Sequence, residues 1–167
     1  SNRKRCVRDL KELGYQVGTG FMVGSPWQTM ANLLEDLAFI RELQPQMIGI
    51  GPFIPHHATP FKNYPAGTLE QTLTLLSVLR LMFPKVLLPA TTALGTIVPN
   101  GRELGILAGA NVVMPNLSPA DVRQNYLLYD NKLCSGAEAA EAKNDLAARL
   151  HSIGYEIAEG RGDYKES

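Results

Sequence analysis

The sequence predicts an α/β fold of about four parallel strands with helices on their outer side, laid out like half of a (β/α)8 TIM-type barrel. Three observations carry this. Apolar runs recur at intervals of about 25 to 40 residues, a spacing that suits βαβ crossovers and is too long for hairpins. Runs such as Met47-Ile48-Gly49-Ile50 and Asn111-Val112-Val113-Met114 lack polar alternation, as expected of strands covered on both faces. The chain has 167 residues, whereas a closed barrel of this kind takes about 250.

The elements follow in order. Residues 3–13 are expected to form a helix that ends at Gly14, a natural residue just past a helix C-terminus. That helix reads as the last part of a preceding unit. Residues 15–23 form the first strand. Residues 29–43 form a helix with Leu33, Leu34, Leu37, Ile40 and Leu43 on one face. The second strand is 47–51, and its helix spans 69–82 with Thr68 as N-cap. Strand 85–90, a shorter helix 102–108 and strand 111–114 complete the array. A helix over 137–152 and a Gly-rich, charged end follow, the latter expected to be loosely held. Residues 1–136 are thus assigned to the half-barrel and 137–167 to a helix and tail. Four parallel strands cannot close, so two strand edges and the inner-face side chains need a partner. A second copy of the chain, or the missing half, supplies both, and a homo-oligomer is expected.

Sixteen basic and sixteen acidic side chains cancel, which leaves no electrostatic footprint for nucleic acid or an anionic membrane. No apolar stretch approaches the roughly 18 residues of a membrane span. Two cysteines, Cys6 and Cys134, exclude a disulfide scaffold and a Cys-rich metal cage; both are expected to be small buried apolar residues. The start, Ser-Asn-Arg-Lys, contains no signal-peptide core. It reads as a cut within a longer protein, with a cytoplasmic location as the default.

Ligands of parallel α/β folds lie at the C-terminal strand ends. Here those ends are Met22 to Ser25, Gly51 to Ile54, Pro89 to Ala93 and Met114 to Asn116. They hold almost no titratable group, so chemistry run by protein acids and bases is poorly supported. Glycines, Met, Phe and paired hydroxyls suit a rim that cradles a ligand whose cofactor does the chemistry. Gly20 and Gly24 let backbone approach a flat ligand, or simply make a tight turn. Phe53 and Ile54 offer an apolar surface for an adenine-like ring, or are core. Thr91, Thr92 and Ala93 suit a small anion or carboxylate, although a Thr-Thr pair also has plain strand propensity. Arg3 is placed to pair with a carboxylate, or is a solvated arginine. Tyr126 and Tyr129 form a lid edge or a packed aromatic pair. His56 and His57 are adjacent and expected to point in different directions, which disfavours joint metal ligation. No metal site is expected.

Four strings occur in order between Gly20 and Asn116, within a resemblance that covers about residues 2–134: Gly-Phe-Met-Val-Gly, Ile-Gly-Ile-Gly-Pro-Phe-Ile-Pro-His, Pro-Ala-Thr-Thr-Ala-Leu-Gly-Thr-Ile-Val-Pro and Gly-Ala-Asn-Val-Val-Met-Pro-Asn. Together they resemble the radical S-adenosylmethionine (SAM) maturases of FeFe-hydrogenase, relatives of biotin synthase and methylornithine synthase. The resemblance implies that the chain is the C-terminal half of a (β/α)8 barrel. It implies SAM and a 4Fe-4S cluster as cofactors, the cluster held by three cysteines of a CxxxCxxC loop and cleaving SAM to a 5′-deoxyadenosyl radical. The implied substrate is an organometallic iron–cysteine precursor.

On this resemblance Arg3 contacts the SAM carboxylate, Met22 and Gly24 line the adenosyl moiety, and Phe53 and Ile54 contact adenine. Thr91, Thr92, Ala93, Met114, Pro115 and Tyr126 form a far-end substrate or anion site. The CxxxCxxC loop is absent from the sequence, so the chain alone is expected to be catalytically silent. Cys134 matches the first ligand of an accessory cluster, but 135–150 contains no cysteine, so no accessory cluster is expected. A biotin synthase-like or methylornithine synthase-like enzyme is the neighbouring alternative, because fold does not fix substrate. A stand-alone, dimerising half-barrel that binds a small ligand is the alternative from another class. A phosphate-handling lyase is disfavoured by the lack of a lysine or paired acids at the strand ends.

Overall fold

Residues 1–115, 119, 121–122, 125, 127–132 and 139–164 are described by a computed structural model. The order is α1 (Asn2–Glu12), β1 (Gly18–Val23), α2 (Met30–Leu43), β2 (Met47–Pro52), α3 (Leu69–Met82), β3 (Pro89–Ala90), α4 (Thr92–Ile97), α5 (Gly101–Leu107), β4 (Val112–Val113) and α6 (Ala139–Ser152).

β1 and β2 pair in parallel, in register from Gly18 opposite Met47 to Val23 opposite Pro52. β3 and β4 also pair in parallel. A parallel bridge between Met47 and Leu87 joins the two pairs, with the Ile48 N–H donating to the Leu87 carbonyl at 2.9 Å and the Leu87 N–H to that of Gln46 at 3.0 Å. All four apolar runs therefore point one way, as their spacing predicts.

The sheet is covered on one side. Ile48 and Ile50 of β2 and Val23 of β1 pack with Leu33 and Ile40 of α2 and Leu75, Leu76 and Leu79 of α3, all buried. Each such side chain stabilises the fold by about 1.5–3 kcal/mol relative to exposure. Burial alternates along both strands. Gly18, Gly20 and Met22 of β1 are exposed, and Met47, Gly49 and Gly51 of β2 are half-buried. Two covered faces were expected; among the described residues only the helical side is packed.

Local chemistry explains the helix limits. Thr29 caps α2 in a reciprocal box with Asn32, and the Thr68 side chain accepts from the Gln71 N–H at 3.2 Å to start α3 as predicted. α1 is different, because none of its residues is buried. It is held to α2 from outside: Lys11 donates to the carbonyls of Leu43 and Gln44 at the C-terminal end of α2, Arg8 pairs with Glu42 at 2.7 Å, and Lys4 and Arg8 lie over the Phe39 ring. Cys6, on this helix, is exposed and not the buried residue expected.

The third unit departs most from expectation. β3 is two residues long, not the six of 85–90, because the Leu88 N–H turns to the Asn111 side chain at 2.8 Å and Pro89 has no N–H to give. Thr92 and Ala93, read as a strand end, instead open the unpredicted helix α4, with Thr91 at its N-cap. β1 starts at Gly18, not at residue 15, and β4 is likewise only Val112 and Val113. At the other end α6 docks through the buried Leu146 and Leu150, and Arg149 binds both oxygens of the buried Glu103 carboxylate. Among the described residues no helix is long and apolar enough to cross a membrane.

Candidate functional site

The unpacked side of β1 and β2 forms the floor of the site. It carries a strip with no Cβ atoms, Gly18 and Gly20 on β1 and Gly49 and Gly51 on β2, flanked by Met22 and Met47. A side chain built on Gly20 would put its Cβ 1.8 Å from the Gly49 carbonyl oxygen, whereas one on Gly49 would meet nothing within 4 Å. The two positions face each other in register. One glycine is required by the sheet itself; the other leaves open space. Met22 stands 58% exposed at the end of β1.

The strand ends are tied into a rim. The Phe53 N–H donates to the Val23 carbonyl and the Gly67 N–H to that of Phe53, each at 2.8 Å. The Gln28 side chain spans the turn after β1, donating to the Met22 carbonyl at 2.8 Å and accepting from the Gly24 N–H at 2.7 Å. Gly24 has φ +76°, and a Cβ there would lie 2.5 Å from the Gly67 Cα, so this turn requires glycine. The Phe53 ring is buried and meets Phe61 edge-on, while Ile54 is half-buried.

Thr91 sits next to Gly51. A Cβ on Gly51 would lie 2.6 Å from the Thr91 hydroxyl oxygen. That hydroxyl is buried and has no hydrogen-bond partner among the described residues, a costly state for a polar group unless a ligand completes it. The Thr92 hydroxyl accepts from Arg102 Nη2 at 3.3 Å. Arg102 is half-buried; its own desolvation, and next the nearby Arg149, pull its guanidinium below the ordinary pKa, against the opposing effects of Glu103 and Tyr129. Ala93 completes the rim, half-buried.

Arg102 was missed by the sequence reading. Its signal was a cation ten residues after Thr92, at the start of a helix that packs on β3. The aromatic group of Trp27, Phe61 and Tyr64 was missed as well. Trp27 lies 5.9 Å from Phe61 and 5.3 Å from Tyr64, both edge-on, and its backbone holds φ +62°, unusual outside glycine.

The remaining expected residues are dispersed. Arg3 is exposed in the first turn of α1. Met114 is exposed and Pro115 half-buried just past β4. Tyr126 and Cys134 lie outside the described residues; Tyr129 is half-buried. The two histidines do not diverge, contrary to expectation. A turn closed by the Thr59 N–H on the His56 carbonyl, at 3.0 Å, breaks strand alternation there, and the rings stack with centroids 4.4 Å apart. His57 Nδ1 contacts Asp130 Oδ1 at 2.7 Å, and that hydrogen bond is the main cause holding the Asp130 carboxyl below its ordinary pKa.

The residues present fit the two implied cofactors unequally. A 4Fe-4S cluster held by three thiolates does not fit a chain with two cysteines, one of them exposed on α1. A flat nucleoside does fit a glycine strip that ends at an unpartnered buried hydroxyl.

No family model matches the chain. Individual proteins do. It is 33% identical over 131 residues to 3-methylornithine synthase of Methanosarcina barkeri, covering 78% of this chain and 37% of the synthase. A solved structure of methylornithine synthase aligns with a TM-score of 0.74 at 28% identity, over 94% of this chain and 45% of that one. Over most of its length the chain is thus similar to parts of the enzymes that its four strings resemble. Within that class its particular likeness is to the FeFe hydrogenase maturase subunit HydE of Thermotoga maritima, 50% identical over 133 residues. That match covers 80% of this chain and 38% of the maturase, so the chain spans well under half of the curated relatives it matches.

Proposed function

We propose that this chain is the C-terminal half of a radical SAM barrel of hydrogenase-maturase type, forming one wall of the SAM site and the far-end anion site. The observation that carries the reading is the Cβ-free strip of β1 and β2, which leads to the unpartnered hydroxyl of Thr91. Residues 1–136 are the half-barrel and 137–167 an appended helix and tail. The cluster loop and the remaining strands come from residues outside this chain. SAM would supply the reactive 5′ carbon there, with the cluster and its electron coming from residues outside this chain.

The work of this chain is to bind, orient and exclude water. Gly49 admits the flat adenosyl group against backbone, and Met22 covers it from the end of β1. Phe53 and Ile54 give the adenine end an apolar wall. The Thr91 hydroxyl donates one hydrogen bond into the cleft. Thr92, Ala93 and Arg102 form the far-end pocket, where the guanidinium neutralises an anionic group. The likeness to HydE supports an iron–cysteine precursor as the substrate of the whole enzyme. A methylornithine synthase-type substrate is the second reading, favoured by the structural match over 94% of the chain.

Mapping by NMR tests the cradle. Titration of the full chain with S-adenosylhomocysteine, a non-cleavable stand-in for SAM, is expected to shift the amides of Met22, Gly49, Gly51 and Thr91 first. Shifts confined to α1, or scattered over the helical side, would refute the assignment.

A further inference from the structure

We propose that His56, His57 and Asp130 form a binding site for a divalent transition-metal ion, where the loop after β2 meets the segment that carries Asp130. Their donor atoms all lie within 4.8 Å of one another, although Asp130 is 73 residues from His57 in the chain. Two donors about 2.0–2.1 Å from a metal stand about 2.9 Å apart when cis and about 4.1 Å apart when trans. The 2.7 Å between His57 Nδ1 and Asp130 Oδ1 is thus already close to a cis spacing. His56 must turn out of its stack on His57 and close by up to about 2 Å to stand cis to both other donors.

Backbone bonds hold the donors before any ion arrives. The His57 N–H donates to Asp130 Oδ2 at 2.8 Å, and the Asp130 N–H donates to the Pro55 carbonyl at 3.1 Å. The Thr59 hydroxyl and N–H both donate to the His56 carbonyl. The Ala58 N–H donates to His56 Nδ1 at 3.1 Å, an exposed contact that water can replace. Such order is more than an exposed ion pair requires, since those contribute little to stability. The ion takes the place of the hydrogen between His57 Nδ1 and Asp130, the neutral imidazole then carrying its hydrogen on Nε2, and the carboxylate keeps its charge. Two imidazoles and one carboxylate favour zinc, cobalt or ferrous iron over calcium or magnesium, and leave positions for water.

The test titrates the full chain with Zn²⁺ alone and with Co²⁺ alone, in iron-free buffer, by calorimetry and visible absorption. One ion per chain is expected, with weak Co²⁺ bands of nitrogen and oxygen ligation and no intense thiolate band. His57→Gln and Asp130→Asn should each weaken binding by at least about tenfold while leaving the circular dichroism unchanged. His151→Gln, Cys6→Ser and Cys134→Ser should change nothing. No binding at millimolar metal would overturn the proposal. So would affinity unaffected by His57→Gln and Asp130→Asn, or a thiolate band abolished by either serine variant.

Discussion

Gly20 and Gly49 sit opposite each other on neighbouring strands, yet a methyl group has opposite consequences at the two. At Gly20 it would overlap the Gly49 carbonyl oxygen, and neither backbone can yield without breaking the β1–β2 register. Gly20→Ala should therefore cost about 1–3 kcal/mol or more in urea denaturation. Gly49→Ala meets open space and should leave stability unchanged or raise it by about 0.5–1 kcal/mol, the usual gain of Ala over Gly in a strand. Thr91→Val removes a buried hydroxyl that has no partner and makes no side-chain cap to α4. The same denaturation experiment should find Thr91→Val neutral, or more stable by up to about 1 kcal/mol. A loss above that size would show the hydroxyl to be structural. The sequence marks these glycines and threonines as candidates. Only the strand register tells which glycine faces backbone and which faces space, because both readings use the same residue type.

Helices differ in how firmly they are held. α3 contributes Leu75, Leu76 and Leu79 to the core, whereas α1 buries nothing and is attached through charged side chains and the capped end of α2. Hydrogen exchange should find the α1 amides at least about 100-fold less protected than those of α3, since local opening exposes no apolar core. Lys11→Met should speed exchange in α1 and leave α3 as it was. Equal protection of the two helices would contradict this. The limits of α2 and α3 were legible because Thr29 and Thr68 precede clear apolar stripes. The third unit was not legible. The ladder at Leu88 is interrupted by Asn111, 23 residues on, a contact that no local pattern encodes. The same applies to Asp130 reaching His57, and to Arg102 reaching Thr92 across the turn between α4 and α5.

On the scale of the whole molecule, the spacing of apolar runs foretold one parallel direction for the four strands. It could not show that one side of the sheet is left unpacked among the described residues, because runs without polar alternation read as buried on both sides. The outer edge of β1 has no strand partner among the described residues. Near β4, the C-terminal stretch with Tyr155 and Ile157 walls a cleft of about 540 Å³ together with Val112 and Val113. Edges of this kind pair with other strands. Light scattering should give a mass that rises with concentration towards a dimer, and a strict monomer at high concentration would count against it.

The account rests on the glycine floor being a nucleoside cradle, and Gly49→Leu probes this with least disturbance to the fold. Calorimetric titration with S-adenosylhomocysteine should detect binding to the unaltered chain and none to the variant, while both show the same circular dichroism and urea midpoint. Equal affinity for the two chains would mean that the ligand does not lie on β1 and β2.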